Sequence, residues 1–167
     1  MIRFLQSSRF PFVIGLLVGL GMVVAAVALG HFMRLASCPL CILQRMLYLL
    51  LAASAAIGLI GHGARALQLL SGLLMLLSAA TGVLVAGYQT YLQRFAPNIQ
   101  CSGEAAWWEL LVDWAGERWP VMFQANGLCS DPAWKILGLS LAECSLIVFI
   151  LLLCVSARGI WRHLRNQ

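Results

Sequence analysis

Charge is what this sequence has least of. Asp, Glu, Lys and Arg together make up 10% of its 167 residues, against about 25% in an ordinary soluble domain. A compact body built from it could not be clothed in polar surface, so a water-soluble globular enzyme is excluded. Acidic residues are the scarcest, at six. The resulting net charge of +5 is not a nucleic-acid signal. No cluster of four to eight basic residues exists, and aromatic residues do not interleave with basic ones along a polar groove. Metal-ligand spacing is missing too: His31, His62 and His163 each stand apart from any other His, Asp or Cys. The expectation is therefore no nucleic acid and no metal.

What is present is apolar length. The chain is 62% hydrophobic and its mean hydropathy is +0.89. Four runs, at about 11–33, 41–61, 66–92 and 136–157, each reach the roughly 20 residues needed to cross a bilayer. The head of the first run, with Arg3 and Arg9, resembles a signal-peptide start, and Ala26 and Ala28 offer a small-x-small pattern. Its apolar stretch exceeds the usual ~7–15 residues of such a segment, so it reads as a retained helix. Gly15 with Gly19, and Gly82 with Ala86, form small-x-x-x-small pairs suited to close helix contact. The fold class is all-α: an integral membrane four-helix bundle forming a single domain over 1–167.

The loops decide orientation. Arg3, Arg9, Arg65, Arg158, Arg162 and Arg165 fall on the termini and the 62–65 turn, whereas Arg94, Arg118 and Lys135 in the 93–135 loop are offset by acidic residues. By the positive-inside rule both termini are cytoplasmic. The loops at about 34–40 and 93–135 then face outward, into the periplasm of a Gram-negative cell. Within the longer loop, Trp107, Leu111 and Trp114 recur at helical spacing. That pattern suits a short helix lying flat at the membrane interface, or one packed against the rest of the loop.

Four cysteines fall on this outer side. Cys38-Pro39-Leu40-Cys41 is a C-x-x-C unit at the start of the second span, which reads as a redox pair or half a zinc site. Its position favours redox, because free N–H groups and the helix dipole stabilise a thiolate at a helix N-terminus. Arg45 lies four residues beyond Cys41 on the same helical face. It is either an arginine that snorkels to the headgroups or a cation held beside Cys41 and a lipid-soluble acceptor. Cys101 and Cys129, if paired, close a loop whose chain-entropy stabilisation is about 3.6 kcal/mol. They form a structural staple or a second redox pair, and Gly103 and Gly127 flank them with flexible backbone. Cys144 and Cys154, in the fourth run, read as small buried hydrophobes. Glu143 beside them has no evident role, and His31 lies near the outer end of the first span, facing the interface or the acceptor.

Taken together, the outer Cys38-Pro39-Leu40-Cys41 with Arg45, the spacing to Cys101, and Gly127-x-Cys129 followed by Trp134 resemble disulfide bond formation protein B, DsbB, over essentially the whole chain. The resemblance implies a bacterial inner-membrane thiol:quinone oxidoreductase. In such proteins the loop disulfide, here Cys101–Cys129, oxidises a periplasmic thioredoxin-like dithiol protein, DsbA, through a mixed disulfide at Cys101. A transient Cys38–Cys129 bond follows, and Cys41 faces the quinone with Arg45 in support. The acceptor would be ubiquinone or menaquinone from the membrane quinone pool. The partner is itself a strong oxidant, so the quinone must supply the driving force. Three positions depart from the family pattern. Gln89 stands where many relatives carry a basic residue or histidine, and is placed to bond a quinone carbonyl. Gln44 stands where an acidic residue is frequent. Ala142-Glu143-Cys144 replaces a proline and a tryptophan. With Cys41, Arg45 and His31, both glutamines complete the expected quinone-binding set. Competing readings are a membrane protein with two static disulfides, and a thiol redox protein similar to vitamin K epoxide reductase, in which the C-x-x-C follows the loop pair.

Overall fold

A computed structural model describes residues 9–61, 63–95, 107–130, 135–136 and 138–165 of the chain. Four long helices account for most of them: α1 (Phe10–Met33), α2 (Pro39–Ile60), α3 (Arg65–Phe95) and α6 (Leu141–Arg165). All four are long and apolar enough to cross a membrane. The chain is an all-α membrane bundle, as its hydropathy implies. Consecutive helices pack side by side in the order α1, α2, α3, α6, and α1 also touches α6.

Small residues set the spacing. A Cβ on Gly19 would lie 2.9 Å from the Tyr48 carbonyl oxygen and 3.1 Å from the Ala52 Cβ, so α1 can approach the α2 backbone only with glycine there. Gly15 meets Met75, and Gly82 meets the Phe149 ring. Both predicted small-residue pairs are thus packing faces. Around them Phe12, Tyr48, Leu51, Met75, Ala79 and Phe149 form the main core, with the Tyr48 and Phe149 rings stacked at 4.1 Å. Leu17, Val24, Leu77 and Leu84 point outward, as lipid-facing residues do.

The helix ends differ from the apolar runs for local reasons. α6 starts at Leu141, later than its hydropathy suggests. Gly138, at φ +85°, turns a two-residue antiparallel ladder, β1 (Lys135–Ile136) with β2 (Leu139–Ser140). Ser140 and Glu143 then cap the helix reciprocally: the Ser140 N–H donates to Glu143 Oε2 at 2.7 Å and the Glu143 N–H to Ser140 Oγ at 3.3 Å. This is a capping box. Arg94 near the end of α3 donates from Nε to Glu143 Oε1 at 2.8 Å. Glu143 therefore ties the adjoining ends of α3 and α6 together, which answers the question its sequence position raised. α6 also runs on to Arg165, because a basic helix terminus satisfies the dipole at that end.

The long loop holds α4 (Trp107–Arg118) and a single turn, α5 (Pro120–Phe123). Val112 and Ala115 of α4 are buried against Ile42 and Phe123. Trp107, Leu111 and Trp114 face away, with Trp107 79% exposed. The two faces of α4 thus do different things: one packs on α2 and α5, and the other presents its aromatic stripe outward. Cys144 is half-buried and Cys154 exposed, so the expectation of two buried hydrophobes fails at Cys154, which sits on the outer surface of the bundle. In lipid an exposed thiol costs little, because the solvent is itself apolar.

Candidate functional site

The C-x-x-C unit is built by the first turn of α2. Cys38 is the N-cap, in extended conformation, and Pro39 occupies the first helical position, where its missing N–H is no loss. The Cys41 N–H donates to Cys38 Sγ at 3.3 Å. The two sulfur atoms lie 2.8 Å apart, so one residue type at the cap and one three residues later converge on a single spot.

Cys129 joins them. It is 2% exposed and packs with Cys38, Leu40 and Leu92 in one cluster. The segment before it is docked through backbone: the Asn126 and Gly127 N–H groups both donate to the Ser37 carbonyl, at 2.9 and 3.0 Å. A Cβ on Gly127 would lie 2.7 Å from the Ala36 carbonyl oxygen. Gly127 therefore serves close approach, where its sequence context had suggested flexibility. Hydrogen bonding to Cys129, then to Cys41, together with burial, pushes the Cys38 thiol well above the ordinary cysteine range. Cys101 and Trp134 lie outside the described residues, as does His62.

Arg45 follows one turn below Cys41 and is 8% exposed. It does not snorkel. Its Nη1 donates to the Met122 carbonyl and its Nη2 to Ser37 Oγ, both at 2.7 Å. One cation thereby pins both loops over the top of the bundle. A buried charge is tolerable only with such partners.

Beside Arg45 opens a pocket of about 130 Å³ between α1, α2 and α6, with Met22, Ala26 and Leu29 among its apolar walls and Cys41, Gln44, Arg45 and Tyr48 among its polar groups. For scale, an engineered apolar cavity of about 150 Å³ holds a benzene. The pocket suits one flat ring with polar edges, whose lipid-soluble remainder would extend toward the bilayer. Tyr48 closes it by donating to the Ser145 carbonyl at 3.3 Å, with the two hydroxyls 3.0 Å apart.

Not every expected residue meets at this pocket. Cys41, Gln44 and Arg45 line it, while His31 and Gln89 do not. His31 is exposed at the end of α1, edge-on to Phe32. Gln89 is buried on the other side of the sulfurs. Ser37, Tyr48, Ser145 and the Met122 carbonyl went unnoticed in the sequence. Only Tyr48 left a trace there, since Cys41, Arg45 and Tyr48 follow the i, i+4, i+7 spacing of one helical face.

Comparison with known proteins fits this geometry. The family model of disulfide bond formation protein DsbB matches residues 8–158. The chain belongs to the DsbB family. Among individual members, it is 43% identical over 136 residues to disulfide bond formation protein B of Dechloromonas aromatica, covering 78% of each chain. The counterpart from Nitrosomonas europaea is 39% identical, covering 85% of this chain and 87% of its own. Disulfide bond formation protein B 1 of Pseudomonas putida is 34% identical over 98% of this chain and 96% of its own. This DsbB-family chain is thus a multi-pass membrane oxidoreductase of disulfide bond formation, and Cys38, Cys41 and Cys129 form its described sulfur cluster.

Proposed function

We propose that the chain is a thiol:quinone oxidoreductase that reoxidises a DsbA-like periplasmic dithiol protein at the bacterial inner membrane. The observation that carries this reading is the position of Cys41, which touches sulfur on one side and lines a ring-sized pocket with a buried cation on the other.

The electron balance is simple. A reduced partner dithiol attacks the Cys101–Cys129 disulfide at Cys101, and a second exchange releases the partner as a disulfide and leaves two loop thiols. Those thiols then reduce the Cys38–Cys41 disulfide by the same chemistry, with Cys129 adjacent to Cys38 as the bridging sulfur. The Cys38–Cys41 bond re-forms as two electrons and two protons leave the pair. A quinone held at Cys41, Gln44 and Arg45 would be the acceptor for those two electrons and two protons, giving quinol. Arg45 provides positive charge at the pocket wall, Gln44 a polar edge, and the apolar walls exclude water. Either ubiquinone or menaquinone fits this chemistry.

The orientation belongs to the same proposal. The sulfur end faces the periplasm and both termini the cytoplasm, in keeping with the arginines of the termini and the 62–65 turn. The outward stripe of Trp107, Leu111 and Trp114 suits the headgroup layer and would hold the long loop near the membrane surface.

Purified protein in detergent, given a reduced thioredoxin-like partner, should oxidise it only when quinone is added, followed by quinone absorbance. Partner oxidation that persists without quinone defeats the reading. So does full activity after Cys101→Ser, which would remove the loop pair as the first acceptor.

A further inference from the structure

Gln89 does not itself line the pocket; its side chain hydrogen-bonds the two sulfurs and Gln44. It is 2% exposed. Its Nε2 donates to Cys41 Sγ at 3.1 Å and to Cys38 Sγ at 3.2 Å. Its Oε1 accepts from Gln44 Nε2 at 2.7 Å. Gln44 is itself buried and reaches from α2 to the pocket wall.

A side-chain amide has two unlike ends. The NH₂ end stabilises a sulfur that carries negative charge, while the oxygen end repels it. Which end faces the sulfurs is set by the partner at the opposite end. Here Gln44 Nε2 donates to the Gln89 oxygen and the Gln89 NH₂ group faces the cysteines, the one end of the amide that suits a charged sulfur, which can only accept. Both glutamines are buried, so neither can exchange its partner for water without cost. A neutral amide also keeps its donor character at every pH the cell meets, unlike an imidazole.

We propose that Gln89 is a catalytic hydrogen-bond donor to the sulfur anion formed at Cys41, and that Gln44 is the positioning residue that fixes the Gln89 amide in the donating orientation. The assignment replaces the expected contact between Gln89 and a quinone carbonyl. Its significance rests on the proposed function, because a charged Cys41 is the electron donor in that reading. The contact itself can be tested without partner or quinone.

The experiment uses full-length protein in detergent micelles that retains Cys41 as its sole cysteine. Alkylation of Cys41 by iodoacetamide is timed across a pH series, with thermal unfolding recorded for each variant. Gln89→Leu should move the alkylation midpoint to higher pH and slow the reaction near neutrality about tenfold, the effect of one charge-assisted hydrogen bond. Gln44→Leu should move it in the same direction by less. Adding Gln44→Leu to Gln89→Leu should change nothing more, because the amide it positions is gone. Gln89→Glu, which sets a carboxylate against the sulfur, should slow alkylation further, and this comparison serves if the leucine variant does not fold. An unchanged midpoint in folded Gln89→Leu, or a Gln89→Glu protein as reactive as the parent, overturns the donor role. Fully additive shifts in the double variant overturn the positioning role. Loss of quinone-dependent turnover in the parent protein, with the alkylation shifts intact, would instead defeat the proposed function alone.

Discussion

The polar groups that surround the sulfurs and those at the opposite end of the bundle are held differently, although Gln93 Oε1, a turn beyond Gln89, is also buried without a partner among the described residues. At the sulfur end Gln44, Gln89, Arg45 and Tyr48 all have partners, and their bonds link α1, α2, α3, α6 and the long loop. At the far end Ser71 and Ser156 are also buried, yet neither hydroxyl has a hydrogen-bond partner among the described residues. They border or lie near a cavity of only about 20 Å³ lined by Pro11, Gln68, Gly72 and His163, among others. The contrast separates chemistry from packing. A redox site needs its groups held in one geometry, and a satisfied network does that. Small hydroxyls at the far end serve mainly to let helices approach.

That comparison can be broken in graded steps. The largest effect belongs to the sulfurs: Cys41→Ser or Cys38→Ser should abolish quinone-dependent turnover of a reduced partner, read by quinone absorbance. Next comes the cation. Arg45→Gln removes positive charge from the pocket and two bonds to the loops, so the quinone KM should rise at least about tenfold, on the scale of a hydrogen bond to a charged group. An unchanged KM would mean that the polar network is scaffolding, like the far end. Gly127→Ala forces a methyl against the Ala36 carbonyl. Overpacking of this kind costs about 1–3 kcal/mol, and the exchange between loop thiols and the Cys38–Cys41 pair should slow in rapid-mixing assays with the quinone step intact. Gly21→Ala, with nothing among the described residues within 4 Å of the added methyl, is the neutral control. The smallest effect is expected at Ser156→Ala: turnover unchanged, and thermal stability equal or slightly raised, because an unsatisfied hydroxyl is removed. A loss of activity there would erase the distinction between the ends.

The bundle was readable from composition because about twenty apolar residues in a row have few other uses. Cys38, Cys41 and Arg45 were readable as a group because they are neighbours on one helix, where spacing translates directly into shared faces. Gln89 was found as a position, but its hydrogen bonds to the two sulfurs were not foreseen. Its sequence neighbours Tyr88 and Thr90 say that it is polar near a span end, and nothing about what α2 turns toward it. Gly127 was misjudged for a similar reason. Flexibility is the default reading of a loop glycine, and only the Ala36 carbonyl, far away in sequence, reveals that close approach is what requires it. Glu143 looked anomalous until Ser140 supplied the other half of a capping box and Arg94 the opposite charge. The Ser-x-x-Glu half of that signal was present in the sequence.

By itself, the sequence determined that this protein lives in lipid, crosses it four times and carries a C-x-x-C at a helix start with a cation one turn below. Those properties depend on hydropathy and on local helical geometry. Tertiary structure alone decided that Cys129 lies against Cys38, that Arg45 bonds both loops, and that Gln89 lies hydrogen-bonded between Gln44 and the sulfurs. The rotation and axial register of each helix set these contacts. In a membrane span the lipid-facing and bundle-facing residues are nearly equally apolar, so a single sequence carries little record of either.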